Sequence, residues 1–344
     1  MFSALIETLI RREDLTGDQA AAAMNAIMEG RVAEAQIAGL LVGLAMKGER
    51  PQEIVGLARA MRAHAIALPS TFDRVFDTCG TGGDRSGTFN ISSCAAIVIA
   101  ACGVRVAKHG NRSVSSPSGS ADVFESLGVN IAASPETVAR CLDEVNIGFL
   151  FAPAFHPSMR HAGSTRQALG VRTAFNLLGP LTNPARATHQ LVGVPRPEFT
   201  ELLARALGLL GSERAWVVHG ADGIDEISTT GYTKVSEWVG GTVKTFYFHP
   251  ADVGLPKSSP ASLKGGNAAE NARILLHVLA GEPGPARDIV AVNAGAALFI
   301  AGAASSVREG LQLASRAIER GDARRTLEQL VTRSAEPPAA GARA

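Results

Sequence analysis

Over roughly the first 65 residues, apolar side chains recur at helical spacing and nowhere alternate. Leu5, Ile6, Leu9 and Ile10 form one stripe. Thr16, with Gln19 three residues on, is a capping box ahead of a second helix that should stop at Gly30. Ile37, Leu40, Leu41 and Leu44 predict a third helix ending near Gly48. Pro51 opens a fourth, with Ile54, Leu57 and Met61 on its inner face. The pattern predicts a compact helical domain over residues 1–70, completed by a further helical stretch at about 157–188.

From residue 74 the period changes. Short strands at 74–77, 104–107, 148–152, 191–194 and 215–218 alternate with helices, one of them capped by Ser134 with Pro135 at its first position. Such alternation predicts a mostly parallel sheet covered on both faces. Residues 234–248, broken by Gly240-Gly241, read as a β-hairpin. Alanine-rich helices fill about 267–333, and 334–344 reads as a loose tail. The fold class is therefore α/β, with an N-terminal helical domain joined to a mostly parallel α/β domain over residues 71–333.

Composition narrows the function classes. The 344 residues carry a net charge of +1, with 19% charged and 46% hydrophobic residues, which suits a folded chain with a large core and not a disordered one. With six lysines and no long basic run, the chain offers no general electrostatic grip on nucleic acid or an anionic membrane. The longest apolar stretches, 94–104 and 294–304, are about half a membrane span. No basic residue precedes Arg11, so the N-terminus does not read as a signal peptide. The four cysteines lack C-x-x-C spacing and read as reduced thiols of a cytoplasmic protein.

Much of the glycine lies in a few loops, and these carry the candidate chemistry. Asp77-Thr-Cys-Gly-Thr-Gly-Gly-Asp84 follows the first strand, and a helix should begin near Asn90-Ile-Ser-Ser93. A strand, a glycine-rich loop and a helix N-terminus together bind phosphate through close backbone N–H groups and a positive helix end. The loop is not a Walker A motif, because no lysine follows a glycine, and Arg85 breaks the dinucleotide fingerprint. A second polar loop, Lys108-His-Gly-Asn-Arg-Ser-Val-Ser-Ser116 followed by Ser118-Gly-Ser120, follows the second strand and offers another anion cradle. Two cradles suggest a ligand with two separate phosphate groups. Asp225 and Glu226, after a later strand, could hold Mg²⁺ against phosphate oxygens, although an Asp-Glu pair is also common in solvated turns. Arg166 could clamp a carboxylate bidentately. No H-E-x-x-H or G-x-S-x-G occurs and the eight histidines form no evident ligand cluster, so no covalent nucleophile is expected.

Gly80-Thr-Gly-Gly-Asp84, Asn90-Ile-Ser-Ser93, Lys108-His-Gly-Asn-Arg112, Ser118-Gly-Ser-Ala-Asp122, Arg172-Thr-Ala-Phe-Asn-Leu-Leu-Gly-Pro180 and Asp225-Glu226, in this order and spacing, resemble the anthranilate phosphoribosyltransferase family from about residue 3 to 333. The resemblance implies a nucleoside phosphorylase/phosphoribosyltransferase-like fold, a cytoplasmic homodimer, and a place in tryptophan biosynthesis. The phosphoribosyl group of 5-phosphoribosyl 1-pyrophosphate would pass to the amine of anthranilate. By resemblance, Gly80, Gly83, Asp84, Thr88, Asn90, Ile91, Ser92, Ser93, Lys108, His109, Gly110, Asn111, Arg112, Ser113, Val114, Ser115, Ser116 and Ser120 would enclose phosphoribosyl pyrophosphate. Anthranilate would meet Gly80, Asn111 and Arg166. Two Mg²⁺ ions per monomer would involve Ser92, Asp225 and Glu226. Ser93 stands where the family usually has threonine, and Pro117 where many members have lysine or cysteine. Two alternatives have less support. A pyrimidine nucleoside phosphorylase resembles a K-H-S-T-G-G-V-G-D loop that 77–84 does not match. A nucleic-acid-binding, non-catalytic relative would carry a basic stripe. No partnership with nucleic acid or membrane is expected.

Overall fold

The computed structural model describes residues 1–69, 72–113 and 117–337. Four helices come first: α1 (Phe2–Ile10), α2 (Gly17–Met28), α3 (Glu34–Lys47) and α4 (Pro51–Ala63). The capping box of α2 is formed, with Gln19 N–H donating to Thr16 Oγ1 (3.1 Å) and Thr16 N–H to Gln19 Oε1 (2.9 Å). α2 ends at Met28, and Gly30 takes the positive φ that follows the cap. Fully buried Glu53, in the first turn of α4, accepts the N–H groups of Leu15 and Arg50 and the Lys47 ammonium, tying the α1–α2 connection to the end of α3 and the turn into α4. Gly56 lies against the backbone carbonyl of Gly17, so a Cβ there would force α2 and α4 apart.

The rest of the chain runs β1 (Phe76–Gly80), α5 (Ile91–Ala101), β2 (Val106–Gly110), α6 (Ser120–Ser126), α7 (Pro135–Glu144), β3 (Ile147–Phe151), α8 (Ala152–Phe155), α9 (Arg160–Leu169), α10 (Phe175–Leu178), β4 (His189–Gly193), α11 (Phe199–Leu209), β5 (Arg214–Gly220), β6 (Thr233–Val239), β7 (Thr242–Phe248), α12 (Ala268–Leu279), α13 (Pro285–Ile300), α14 (Val307–Glu319) and α15 (Asp322–Ala335). The sheet has the order β3-β2-β1-β4-β5-β6-β7. Its first five strands are parallel, and the β6–β7 hairpin adds two antiparallel strands at one edge. Among the described residues no helix is long and apolar enough to cross a membrane.

Strand alternation divides the core. Leu191, Trp216 and Val218 face a cluster built with α5, α13, α14 and α15. Val192, Val194, Ala215 and Val217 face the other way, onto α11 and, beyond it, the helical unit with α9 and α10. Arg62 at the end of α4 donates to the carbonyls of Leu181 (2.6 Å) and Leu210 (3.0 Å), fixing the helical unit to this second layer.

β1 and β2 begin later than expected and run further, whereas β3, β4 and β5 begin one or two residues earlier. β1 starts at Phe76, not residue 74, and its ladder with β4 continues to Gly80–Gly193. β2 likewise runs through Lys108, His109 and Gly110. Polar residues ended the strands in a hydrophobicity reading, yet Asp77, Thr78, Lys108 and His109 are buried at the carboxyl ends of central strands. At the C-terminus α15 continues to Ala335, past the expected start of a tail at 334. Ser334 is buried and its Oγ accepts the N–H of Asn130 (3.0 Å), which holds the last helical turn in place.

Candidate active site

Strand order reverses between β1 and β4, so the loops leaving these strands diverge and open a cleft at their carboxyl ends, where α/β sheets bind ligands. The cleft measures about 410 Å³ and takes in the segments around Gly80, Asn90, Lys108, Ser118, Arg166, Arg172, Asp225 and Gly265.

The glycine loop is held by contacts that a side chain would block. Gly82 and Gly83 have φ of 66° and 76°. Gly82 N–H donates to Asp225 Oδ2 (3.0 Å), and Arg172 Nη1 donates to the Gly82 carbonyl (2.7 Å). A Cβ on Gly83 would strike the Arg172 guanidinium, and one on Gly80 the Asp225 carboxylate. At the start of α5, Ser92 N–H donates to Glu226 Oε1 (3.0 Å). The side chain of Asn90 does not cap this helix. It ties loops together, its Oδ1 accepting from Asn271 Nδ2 (2.9 Å) and its Nδ2 donating to the Ser118 carbonyl (3.3 Å).

Lys108 is buried behind this helix end, its Nζ donating to the Thr78 carbonyl (2.6 Å) and reaching Ser92 Oγ at 3.4 Å. Beneath it Asp77 accepts the Asn183 amide (2.8 Å) and the His109 N–H (3.3 Å). Burial raises the Asp77 carboxyl to about 6 despite the opposing charge of Lys108. Asp225 and Glu226 are also pushed up, first by burial; the next contribution is the charge of Asp84 for Asp225 and of Asp225 for Glu226. The buried thiol of Cys79 is raised far too high to act as a thiolate nucleophile.

The other side of the cleft has a different character. The Arg166 guanidinium lies over the Phe175 ring, 5.0 Å from its centroid, and among the described residues no carboxylate pairs with it. His109, which lines the cleft, packs at a 53° tilt against His156, which does not, with ring centroids 5.2 Å apart. Burial lowers their pKa to about 3 and about 4, so both are neutral near pH 7. His109 Nδ1 faces the Gly179 carbonyl (3.2 Å), which assigns the proton to that nitrogen, and among the described residues the buried Nε2 of each ring has no hydrogen-bond partner.

The sequence and its folded form both have close counterparts. Residues 3–65 match the helical bundle domain of a glycosyl transferase family, and residues 73–324 match its α/β domain. The chain is 52% identical over 331 residues to the anthranilate phosphoribosyltransferase of Moorella thermoacetica, covering 96% of this chain and 98% of that one. It is 53% identical over 327 residues to that of Symbiobacterium thermophilum, covering 95% and 96%. The chain belongs to the anthranilate phosphoribosyltransferase family. Its structure superimposes on the Thermus thermophilus anthranilate phosphoribosyltransferase with a TM-score of 0.92 at 45% identity, covering 96% and 99% of the two chains. The Saccharomyces cerevisiae enzyme in complex with PRPP and Mg gives 0.89 at 28% identity, covering 97% of each.

The sites expected of an anthranilate phosphoribosyltransferase fall as follows. Gly80, Gly83, Asp84, Thr88, Asn90, Ile91, Ser92, Ser93, Lys108, His109, Gly110, Asn111, Arg112, Ser113, Ser120, Arg166, Asp225 and Glu226 all line the one cleft. Val114, Ser115 and Ser116 lie outside the described residues. Arg112 turns its guanidinium onto Asp122 (2.8 Å) and Glu125 (2.8 Å) of α6. The cleft also takes in Arg172, Phe175 and Asn271, to which the sequence reading gave no contact. The arginine and phenylalanine sit inside a motif already noted, but Asn271 gave no signal because its role is to hold Asn90 from 181 residues away.

The carboxylates suit a hard cation. Asp84, Asp225 and Glu226 lie together in the cleft, burial and neighbouring carboxylates favour the neutral forms of Asp225 and Glu226, and Asp84 Oδ2 is buried with no hydrogen-bond partner among the described residues. Among the described residues no three or more His, Cys, Asp or Glu side chains form a self-sufficient metal cage. Mg²⁺ seldom needs one, because it takes one or two carboxylates with waters and phosphate oxygens completing its shell.

Proposed function

We propose that this chain transfers the 5-phosphoribosyl group of phosphoribosyl pyrophosphate to the amine of anthranilate, giving N-(5-phosphoribosyl)anthranilate and pyrophosphate in tryptophan biosynthesis. The observation that carries the reading is one cleft with two unlike sides. A backbone-rich anion cradle lies opposite an unpaired arginine stacked on an aromatic ring. Neither a nucleoside phosphorylase nor a nucleic-acid binder is favoured by that pairing.

On the donor side, Gly80–Asp84 and the first turn of α5 receive the pyrophosphate, and Lys108 supplies a fixed positive charge behind the helix end. Ser92, Asp225 and Glu226 hold Mg²⁺, two ions per monomer, which when bound offsets the charge that builds on the leaving pyrophosphate. On the acceptor side, Arg166 pairs bidentately with the anthranilate carboxylate, Phe175 and the His109 imidazole form the walls, and Asn111 approaches from the second loop. His109 at the cleft wall and His156 packed against it are both neutral, so neither repels a cationic ribose transition state. An aromatic amine has its lone pair available, so orientation beside C1 of the ribose carries more of the work than proton abstraction.

The same reading divides the chain into a helical domain at 1–70, completed by the helices of 157–188, and an α/β domain at 71–333. It also takes the protein as a cytoplasmic homodimer that binds neither nucleic acid nor membrane. Anthranilate fluorescence tests the activity. It should decay only when protein, phosphoribosyl pyrophosphate and Mg²⁺ are all present, with one pyrophosphate released per anthranilate consumed. Persistent fluorescence in the complete mixture would contradict the assignment.

A further inference from the structure

Two carboxylates of the cleft are turned inward onto the N–H groups that an incoming pyrophosphate needs. Asp225 Oδ2 takes the N–H of Gly82 in the glycine loop, and Glu226 Oε1 takes the N–H of Ser92 in the first turn of α5, each at 3.0 Å. Arg172 holds Gly82 from its other side through the carbonyl (2.7 Å), so the loop is fixed in the conformation that offers this N–H to Asp225. Neither carboxylate has an ion-pair partner within 4 Å among the described residues. Lys108 lies close by, but its ammonium donates to Thr78 and reaches Ser92 Oγ.

We propose that Asp225 and Glu226 plug the anion cradle of the free protein, and that a divalent cation draws them off and thereby uncovers the Gly82 and Ser92 N–H groups for pyrophosphate. A carboxylate on the N–H groups of a helix end or glycine turn imitates the ligand in charge and geometry. One N–H cannot serve two anions, and two anions in one buried cleft repel. Metal-free pyrophosphate must therefore displace an internal competitor, whereas the metal complex supplies the cation to which that competitor turns. This inference rests on the donor-site reading above and adds a second role for residues that would otherwise serve only as metal ligands.

The test is calorimetry with inorganic pyrophosphate on the wild type, Glu226→Gln and Glu226→Ala, each in excess chelator and in excess Mg²⁺. Both variants remove the charge, but glutamine keeps an oxygen that can still accept the Ser92 N–H. In chelator the wild type should bind weakly, Glu226→Gln somewhat better, and Glu226→Ala about tenfold better than Glu226→Gln, the scale of one hydrogen bond to a charged ligand. With Mg²⁺ the order should reverse, the wild type binding most tightly. Equal gains for glutamine and alanine would reduce the effect to charge and overturn the plug, as would no gain in either. A wild type that ignores pyrophosphate even with Mg²⁺ would overturn the donor-site reading as well. As a check independent of any variant, Mg²⁺ alone should shift the Gly82 and Ser92 amide resonances of the wild type. Unmoved amides at saturating metal would also overturn the plug.

Discussion

The two sides of the cleft differ in how their polar groups are used before any ligand arrives. On the donor side the backbone N–H groups and the cations are engaged internally, Gly82 with Asp225, Ser92 with Glu226, Lys108 with Thr78, Arg112 with Asp122 and Glu125, while Asp84 Oδ2 and Ser93 Oγ lack a partner among the described residues. On the acceptor side the Arg166 guanidinium and His109 Nε2 have none among the described residues. A highly charged ligand needs many donors, and leaving that many unpaired in a buried cleft would cost about 1–3 kcal/mol for each. A small aromatic acid needs one cation and a flat wall, which Phe175 can support at little expense. The donor side therefore works by exchange of partners and the acceptor side by prior arrangement.

Removing the groups that exchange should do the most damage. Replacing Asp225 and Glu226 together by alanine should lower turnover at limiting Mg²⁺ by about 10²–10³-fold, the range for losing stabilisation of a leaving charge. A double variant with wild-type turnover at low metal would break the donor half of the account. Arg166→Ala should weaken anthranilate binding about 10–100-fold through loss of charge-assisted bonds, with the Michaelis constant for phosphoribosyl pyrophosphate little changed. Steady-state kinetics in both substrates separates the two effects. Gly83→Ala combines a positive φ with a collision against Arg172, and should raise the donor Michaelis constant about tenfold while sparing anthranilate.

The smallest effect concerns stability. His156 is protonated below about 6.5 in the unfolded chain but only below about 4 in the folded one, so between those values the unfolded state binds the extra proton. Its contribution is fully present above pH 6.5 and is lost as pH falls toward 4. Asp77 works in the opposite sense, because its raised carboxyl makes the folded state the better proton binder between its unfolded value and about 6. The difference between wild type and His156→Asn isolates the histidine. Denaturation from pH 7 to 4 should show the wild type losing at most about 1.4 kcal/mol more per pH unit than the variant.

How much of this was legible in the sequence follows the same division. The donor loops are contiguous runs of glycine, hydroxyl and charge beside predicted strands and helices, so 80–84, 90–93 and 108–113 could be read as anion cradles from local chemistry. The internal partners could not, because Gly82 and Asp225 are 143 residues apart and Ser92 and Glu226 are 134. Only the strand order β3-β2-β1-β4-β5 brings those loops together. The helical unit was legible from its apolar spacing and caps, while the way Arg62 fixes it to α11 was not. The ends of β1 and β2 were misplaced because buried Asp77, Lys108 and His109 break the apolar pattern at the point where the site begins.

The prior arrangement of the acceptor side is tested most directly by competing anthranilate with 2-aminobenzamide, which keeps the ring and amine but replaces the carboxylate with a neutral amide. If Arg166 is the clamp, the wild type should prefer anthranilate strongly and Arg166→Ala should lose most of that preference, with both acceptors reduced to similar kcat/KM. If the variant keeps the wild-type preference, the carboxylate is recognised elsewhere and the acceptor site has been misplaced.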